Sequence, residues 1–391
     1  MNIAPYFKPV AFSEFFPNEY PKDNSKRIGD VINKYVDVFP DVENADIAII
    51  GIEDDRCAVG NELCGKASDS IRKYLYQLFP GAYKLKIADL GNIINGHTVE
   101  DTYFAVAQVT EKLLESNTIA LVIGGGQDIT YAIYKAYQNK NQIHNIVAVD
   151  NMFDLGEEST TLDSKSFLSH IILQKPNVLF NYTNIGYQSY FVNQHAIDLM
   201  KNLYFDTYRL GILQQDITLV EPIVRNADFL SFDISAIRQS DAPGNANATP
   251  NGFYGEDACQ IARYAGLSNK ITSFGIFEIN PSLDNRGQTA HLAAQMIWYF
   301  IDGFYNRENG SPAEMPENYI KYNVQVSDVE EGIIFYKSKF SDRWWMELKC
   351  TDKVKEKYKR HYIIPCSEND YKTACENEIP DRWWQGYQKL M

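Results

Sequence analysis

Five polar residues stand at or just after the ends of stretches that have the composition of buried β-strands. A carboxylate or amide follows each of the apolar runs TIALVI, HNIVAV, FLSF and ITSFGIF. Because the carboxyl ends of parallel strands meet at one edge of a sheet, we expect these side chains to converge there. Carboxylate and amide oxygens suit hard divalent cations, and crowded carboxylates repel one another unless a positive charge lies among them. The residues are Gln127, Asp150, Asp154, Asp233 and Glu278.

Each of these residues also has an ordinary structural interpretation. An aspartate at the end of a strand often caps the helix that follows, although three such caps would each have to arise independently. The run Gly124–Asp128 (GGGQD) follows a strand, as phosphate-binding loops do, but it lacks the GxGxxG spacing of a dinucleotide site. A cation site therefore explains the set better than a nucleotide site does.

Short apolar runs alternate with longer segments of helical periodicity through most of the sequence. Strands that are apolar throughout bury both faces, which is typical of a parallel sheet covered by helices on both sides. The predicted strands are Asp46–Ile52, Leu85–Leu90, Thr118–Ile123, His144–Asp150, Val178–Ile185, Phe229–Asp233 and Ile271–Glu278. The predicted helices are Lys66–Leu78, Val99–Leu114, Ile129–Tyr137 and Thr289–Phe304.

The sequence changes character after about residue 305. Residues 306–318 are polar and rich in turn-forming residues, as a linker is. Beyond them the pattern predicts a hairpin, Gly332–Lys337 with Arg343–Leu348, and a short helix at Glu368–Cys375. Four of the five tryptophans lie in this extension, within two Arg-Trp-Trp triplets. They are either buried where the extension docks on the main domain or exposed as anchors for a protein partner.

Composition and charge exclude several classes of protein. The 391 residues include 37 Lys and Arg against 51 Asp and Glu, a net charge of −14. Such a chain repels nucleic-acid phosphates and anionic membranes, so we expect neither as a partner. No apolar run is long enough to span a bilayer, and no secretory signal is visible at the start. The six cysteines form no CxxC pair and are interpreted as free thiols, which predicts a cytoplasmic location.

Four motifs occur in an order that resembles the ureohydrolase family, which contains arginase, agmatinase and formimidoylglutamase. They are Gly-Gly-Gly-Gln-Asp at 124–128, Asp-x-x-x-Asp at 150–154, Ser-Phe-Asp-Ile-Ser at 231–235 and Glu-Ile-Asn-Pro at 278–281. Asp-Leu-Gly-Asn at 89–92 and the segment 241–252 support the resemblance. It implies a three-layer α/β/α fold with a mainly parallel sheet over residues 46–305. Residues 1–45 are then expected to pack on that domain, and 306–391 to form the linker and a small hairpin-and-helix extension.

The resemblance also implies two manganese ions, which activate water for attack on a guanidinium or formimidoyl carbon. Of the six positions that carry the family's metal ligands, three match, namely Asp150, Asp154 and Asp233. Gln127 replaces a histidine and offers only an amide oxygen, a weak ligand. Met152 and Ser235 replace a histidine and an aspartate, and neither a thioether nor an uncharged hydroxyl suits a hard divalent ion. The sequence therefore predicts one divalent cation (Mn²⁺, Mg²⁺ or Ca²⁺) or none, and argues against a binuclear manganese centre.

Two further positions extend the comparison with the family. Glu278 stands where the family grips the cationic end of its substrate, so a site for a small amidine or guanidino ligand is expected. The family also uses a histidine beyond its second motif as a proton shuttle. Here the only histidine between Asp154 and Gln194 is His170, in a stretch with a helical or buried pattern that favours a structural or surface role. No catalytic residue is assigned.

These departures predict an arginase- or formimidoylglutamase-like protein that is catalytically impaired or non-catalytic and binds an amidine-type ligand or a protein partner. The alternative is an active hydrolase of a linear amidine C–N bond, with a formimidoylglutamate-, agmatine- or arginine-like substrate and a single remaining metal site. Loss of charged stabilisers typically lowers a rate by several powers of ten, so weak activity is expected. The resemblance also favours a homo-oligomer.

Overall fold

The computed structural model describes residues 1–15, 26–140, 142–156, 161–308 and 310–391. Residues 16–25 of the predicted N-terminal segment and Asn309 of the predicted linker lie outside the described residues. The strands of the large sheet are β1 (Phe7–Lys8), β2 (Asn33–Lys34), β3 (Ile47–Ile52), β4 (Ile87–Ile93), β5 (Ile119–Ile123), β6 (His144–Val149), β7 (Leu179–Tyr187), β8 (Asp206–Arg209), β9 (Phe229–Asp233) and β10 (Ser273–Phe277). The helices around it are α1 (Phe12–Phe15), α2 (Ile28–Val31), α3 (Ala67–Leu75), α4 (Val99–Glu115), α5 (Ile129–Tyr137), α6 (Phe167–Leu173), α7 (Gln194–Asn202), α8 (Leu210–Gln215), α9 (Val220–Val224), α10 (Gly255–Gly266) and α11 (Gln288–Tyr305).

These strands form one sheet in the order β1-β4-β3-β5-β10-β9-β6-β7-β8, with β2 paired to β4. Every pairing is parallel except that of the short edge strand β1. The mainly parallel sheet predicted from the sequence is therefore confirmed. The four strands that lead to the predicted site residues, β5, β10, β9 and β6, lie side by side. β5 and β6 are consecutive in the sequence, but β10 and β9 lie between them in the sheet. Open α/β sheets bind ligands beside such changes in strand order.

Helices cover both faces of this sheet, because successive residues of its central strands point into two separate cores. Ile47 and Ile49 of β3 belong to the core shared with α3, α10 and α11. Ala48 and Ile50, which alternate with them, belong to the core shared with α4, α5 and α6. A strand that is buried on both faces requires this uninterrupted apolar sequence. The predicted three-layer α/β/α arrangement is confirmed.

The C-terminal extension forms a second sheet with helices of its own. Its antiparallel strands follow the order β11 (Tyr319–Val326), β12 (Val329–Ser338), β13 (Trp344–Glu347) and β14 (Ile363–Cys366). Its helices are α12 (Asp352–Lys357), α13 (Glu368–Cys375) and α14 (Asp381–Leu390). The predicted hairpin is the β12–β13 pair and the predicted helix is α13. The extension is larger than that hairpin and helix, since β11, β14, α12 and α14 were not predicted.

The extension packs against the amino ends of the central strands. Arg225, between α9 and β9, is buried and donates from Nη2 to the Trp344 carbonyl at 2.9 Å. Its guanidinium carbon lies 4.2 Å from the centre of the Trp345 ring. His361 is 3.1 Å through Nε2 from the carbonyl of Ile143, just before β6. Three tryptophans of the two triplets are buried, whereas Trp384 is 47% exposed.

Among the described residues, no helix is both long and apolar enough to cross a lipid bilayer.

Candidate functional site

The glycine run after β5 places Gln127 beneath the loops at the carboxyl edge of the sheet. Gly124 and Gly125 have φ values of +86° and +77°, which favour glycine. A Cβ at Gly124 would lie 2.6 Å from Ser68 Oγ and 2.8 Å from the Ile52 carbonyl oxygen, so a side chain has no room. Gln127 is completely buried, and its Nε2 lies 3.3 Å from Ser231 Oγ on β9. Its Oε1 has no hydrogen-bond partner.

The loop after β6 brings two aspartates together. Asp150 accepts a hydrogen bond at Oδ1 from the Met152 backbone N–H at 3.0 Å, and its Oδ2 has no partner. Asp154 takes the left-handed conformation (φ +49°) and also has an unpartnered, buried Oδ2. The charge of Asp150 acts on Asp154, so the exit from β6 brings the two carboxyl groups close together. That both turn toward one ion stays a prediction.

Asp233 ends β9 and is the least buried of the three predicted aspartate ligands. Its Oδ1 accepts a hydrogen bond from the Ser235 backbone N–H at 2.7 Å, which is the helix-capping role that the sequence left open. Its other oxygen is not used in this cap. Asp233 therefore combines a structural contact with a position beside Asp150, whose charge acts on it.

Glu278 lies just after β10 and holds this edge of the sheet together. Its Oε1 accepts from the Gln127 backbone N–H at 3.0 Å, and its Oε2 accepts from Asn61 Nδ2 at 2.7 Å. Its backbone carbonyl accepts from both Asn61 and Asn245. Its φ of +66° is unusual for a residue with a long side chain and is the kind of outlier that clusters at functional sites.

Burial and mutual repulsion disfavour the charged forms of these carboxyl groups. Burial raises the pKa of Asp150, and burial together with the charge of Asp150 holds the pKa of Asp154 well above its usual range. Burial, then the charges of Asp150 and Glu278, has the same effect on the pKa of Asp233. Burial also raises the pKa of Glu278, and it raises the pKa of the neighbouring Asp128 to about 7. Protons or a cation must offset this concentration of negative charge at neutral pH.

Several buried oxygens at this edge have no hydrogen-bond partner. Buried polar atoms are almost always hydrogen-bonded, so an unpartnered buried oxygen calls for an ion or water. Three such oxygens belong to residues predicted as ligands, namely Gln127 Oε1, Asp150 Oδ2 and Asp154 Oδ2. In the described ranges, no three His, Cys, Asp or Glu side chains converge as a metal site on their own. Asp150, Asp154 and Asp233 therefore do not form a metal site by themselves in this structure.

Met152 and Ser235, which the sequence predicts to depart from the family pattern, follow β6 and β9 at the same edge and carry no charge. Met152 is half-buried, and its carbonyl accepts from Asn184 Nδ2 at 2.7 Å. Ser235 is buried, and its hydroxyl lies 3.3 Å from Asn151 Nδ2. His170 lies on α6 with its ring edge against Tyr131, at 6.2 Å between ring centres.

Sequence reasoning missed several buried polar residues around the carboxylates. Asn61 holds Glu278, and Asn184 and Tyr182 of β7 each have a buried oxygen without a hydrogen-bond partner. The charges of Asp150 and Asp154 add to burial in holding the pKa of Tyr182 well above its usual range. Asn184 could have been found, because an amide in a strand that is otherwise buried needs a partner.

A groove lined by two arginines lies beside the carboxylates. It has a volume of about 360 Å³, and its lining includes Gln188, Arg209, Arg238 and Asn251. The Gln188 backbone N–H donates to the Asn151 carbonyl at 2.9 Å, one residue after Asp150. Arg238 is paired with Asp241 at 2.9 Å, whereas Arg209 has no ion-pair partner among the described residues. Among the residues that the structure describes, no carboxylate lines this groove.

Known proteins match the chain over the domain that carries this site. Formimidoylglutamase of Staphylococcus aureus is 26% identical over 225 residues, which are 55% of this chain and 71% of that protein. The crystal structure of formimidoylglutamase from Bacillus subtilis has a TM-score of 0.67 at 18% identity and covers 78% of this chain and 98% of its own. That of Trypanosoma cruzi formiminoglutamase with Mn²⁺ has a TM-score of 0.64 at 18% identity, covering 73% and 100%.

A third solved structure, the agmatine ureohydrolase of Thermoplasma volcanium, has a TM-score of 0.59 at 21% identity and covers 73% of this chain and 96% of its own. At these identities the structural likeness shows the fold alone. The model of the arginase family matches residues 45–302, which is well over half of the chain. Together with the four motifs, in order, at the ends of neighbouring strands, this match shows that the chain belongs to the arginase family.

Proposed function

We propose that this protein binds one divalent cation and a small amidine-type ligand at the carboxyl edge of its sheet, with hydrolysis of the amidine feeble or lost. The observation that carries the proposal is the set of three buried, unpartnered oxygens on Gln127, Asp150 and Asp154. Asp233, beside Asp150, supplies a fourth oxygen donor. A divalent cation there would offset the repulsion among the carboxylates and polarise a water molecule or ligand atom.

A second cation has too few ligands of its own. The two positions that would serve it alone hold Met152 and Ser235, and the Ser235 hydroxyl is already within 3.3 Å of Asn151. A soft thioether and a neutral hydroxyl compensate little of the charge of a divalent ion. The mononuclear site keeps an electrostatic stabiliser for negative charge but lacks the partner ion, so catalysis should be weak.

The ligand that suits this edge is an amidine that also carries carboxylate groups. An amidinium is attracted to the carboxylates around Asp150, and the adjoining groove offers Arg209 and Arg238 to anionic groups of the same molecule. The relatives named formimidoylglutamase support this ligand class. A cationic amidine without carboxylates, such as agmatine, would leave the arginines of the groove unused.

The metal part of the proposal is tested by elemental mass spectrometry. Purified protein is stripped with a chelator, loaded with excess Mn²⁺ and desalted, and we expect about one ion per chain. Asp154→Asn should reduce the metal content to near zero, because it removes the charge of one ligand. Asparagine tolerates the positive φ of this position, so the backbone should not change. Asp198→Asn, on the exposed face of α7, is the matched control and should leave the metal content unchanged.

The ligand part is tested by calorimetry and by following the amidine C–N bond with NMR. We expect formimidoylglutamate to bind the Mn²⁺-loaded protein more tightly than agmatine, with turnover several powers of ten below an efficient hydrolase. About two ions per chain with rapid turnover would replace the proposal by an active hydrolase. A chain that holds no ion and binds neither compound would refute it.

A further inference from the structure

A second polar cavity lies at the opposite edge of the sheet, between the main domain and the C-terminal extension. Its volume is about 270 Å³, just below the roughly 300–1,000 Å³ of pockets for drug-sized ligands. His144 of β6 forms one wall, Arg307 lies just after α11, and Arg360 belongs to the extension. Arg307 and Arg360 both lie outside residues 45–302, the range of the family match.

The cavity contains buried nitrogen atoms that have no hydrogen-bond partner. The His144 side chain is only 5% exposed, and both of its ring nitrogens are unpartnered. Its Nδ1 lies 3.7 Å from Asp228 Oδ1, which is too far for a hydrogen bond. Nη1 of Arg360 is also buried and unpartnered. Buried donors without acceptors are costly, so a ligand or water must accept from them.

Positive charge dominates the lining, although the whole chain carries −14. Three cationic side chains, those of Lys140, Arg307 and Arg360, face one carboxylate, that of Asp228. Asp228 is already engaged at both oxygens, by Arg360 at Oδ1 and by the Asn145 backbone N–H at Oδ2, 2.8 Å away. The remaining positive charge of the lining is therefore available to a ligand.

Lys140 and Arg307, two of the three cations that line the cavity, form no ion pair with the described residues. Among the described residues, neither Lys140 nor the Arg307 guanidinium has a hydrogen-bond or ion-pair partner. The Arg307 guanidinium carbon lies 4.0 Å from the centre of the Phe304 ring, and burial lowers the pKa of Arg307. An arginine that is partly desolvated in this way gains more from an anion than a fully hydrated one does.

We infer that this cavity binds a small oxyanion, a phosphate or carboxylate group, between His144, Arg307 and Arg360. Bound there, the anion accepts from His144 and from the free Nη1 of Arg360, and it neutralises Arg307. Because Arg360 comes from the extension and His144 from the central sheet, the anion bridges the two and favours the docked extension. This site is independent of the carboxylate site at the other edge.

The test measures binding of inorganic phosphate and of malonate to the full chain, by equilibrium dialysis at constant ionic strength set with chloride. We expect saturable binding of about one anion per chain and a higher melting temperature in its presence. Arg307→Gln should weaken binding roughly tenfold or more, since it removes a charge-assisted hydrogen bond. Lys201→Gln, which removes an exposed cation of α7 that lines neither the groove nor this cavity, is the control and should leave the dissociation constant unchanged.

His144→Phe is the second variant, because it keeps the ring packed against Tyr137 while it removes both unpartnered nitrogens. We expect it to weaken anion binding without lowering the melting temperature in anion-free buffer. Tighter binding of phosphate or of malonate tells which oxyanion the site prefers, and either result supports it. Absence of saturable binding, a wild-type dissociation constant for Arg307→Gln, or loss of binding in Lys201→Gln instead would overturn the inference.

Discussion

The proposed function depends on three positions that the sequence predicts to depart from the family pattern, and these departures differ in what they remove. Gln127 keeps an oxygen donor, and that oxygen is buried without a partner. Ser235 replaces a charged ligand by a hydroxyl that lies close to Asn151. Met152 replaces an imidazole by a thioether, which binds Mn²⁺ poorly. In the proposed assignment of ligands, the loss therefore falls on the second metal position rather than on the first.

Restoring the three ligands together should rebuild a binuclear site. We predict that Gln127→His, Met152→His and Ser235→Asp combined raise the Mn²⁺ content after loading from about one to about two ions per chain. The same variant should melt at a lower temperature in chelator and at a higher one in Mn²⁺, because an extra buried carboxylate is costly unless a cation offsets it. Elemental analysis and thermal unfolding are the measurements.

Ser235→Asp alone is the control for this combination. It should lower the melting temperature in chelator but, without the two imidazoles, should raise the Mn²⁺ content little. A triple variant with the metal content of the parent would show that the three positions do not face a common ion.

The sequence predicted the parallel sheet whose strand ends carry these residues, but not the contacts among them. Gln127, Asp150, Asp154 and Asp233 follow neighbouring strands, so their approach follows from the parallel sheet alone. The bond from Asn61 to Glu278 joins residues 217 positions apart, and no local pattern reveals such a pair. The positive φ values of Asp154 and Glu278 could not be predicted from the sequence either, since both conformations depend on the loops packed around them.

At the scale of elements, one buried arginine, Arg72, gives a structural reason for the segment Asp89–Asn92, which supports the family resemblance. Arg72 on α3 is fully buried and grips Asp89 of β4 through Nε and Nη2, each at 2.8 Å. It also donates to the Gly91 carbonyl at 2.9 Å and to the Asn92 side chain. The segment Asp89–Asn92 is thus the acceptor for Arg72, and its function is to fix α3 against the sheet.

Removal of this arginine should destabilise the protein strongly. We predict that Arg72→Met lowers the free energy of unfolding by about 3–5 kcal/mol, because Asp89 is left charged and buried without its partner. Urea denaturation followed by circular dichroism measures the change.

Two further variants distinguish the effect of losing the Arg72–Asp89 ion pair from the effect of any substitution on α3. Lys73→Met changes the next, exposed residue of α3 and should shift stability by less than about 0.5 kcal/mol. Combining Arg72→Met with Asp89→Asn should recover part of the loss, since the uncompensated charge is gone. A double variant no more stable than the single one would argue that packing, not charge, dominates at Arg72.

Strands buried on both faces were predictable, whereas β8 and β11, which have partly exposed residues, were not. The uninterrupted apolar runs of β3, β5 and β6 follow directly from burial in a parallel sheet. β8 consists of Asp-Thr-Tyr-Arg at the sheet edge, and no apolar run marks it. β11 mixes exposed and buried positions, so only its pairing with β12 identifies it as a strand.

At the scale of the whole molecule, the two edges of the central sheet carry separate tasks. The carboxylates lie where the central strands end, and the extension docks where those strands begin. His361 of the extension is 2% exposed, and its ring centre lies 4.1 Å from that of Phe180 on β7. A change in docking should therefore leave the metal content of the carboxylate site unaltered.

Acid should loosen the docked extension through His361. Burial, together with the charge of Lys270, lowers the pKa of His361 to about 3, while Asp228 opposes this and Arg360 adds to it. The ordinary value is about 6.5. Between these values the undocked or unfolded chain binds one more proton than the docked chain, so stability falls as the pH falls. At pH 5 the loss should reach about 2 kcal/mol.

Intrinsic fluorescence measures this effect well, since four of the five tryptophans belong to the extension. We predict that lowering the pH from 7 to 5 decreases the free energy of urea unfolding of the wild type relative to that of His361→Gln by about 2 kcal/mol. The carboxyl groups with raised pKa values at the other edge, such as Asp128, act in the opposite direction but equally in both proteins. Asp228, whose pKa is lowered by His144, Arg360 and Lys270 against its burial, loses its contribution only at more acidic pH and does not obscure this window. His195→Gln, an exposed histidine on α7, should keep the wild-type slope. Equal slopes in the wild type and His361→Gln would mean that His361 is not the group through which acid acts on docking.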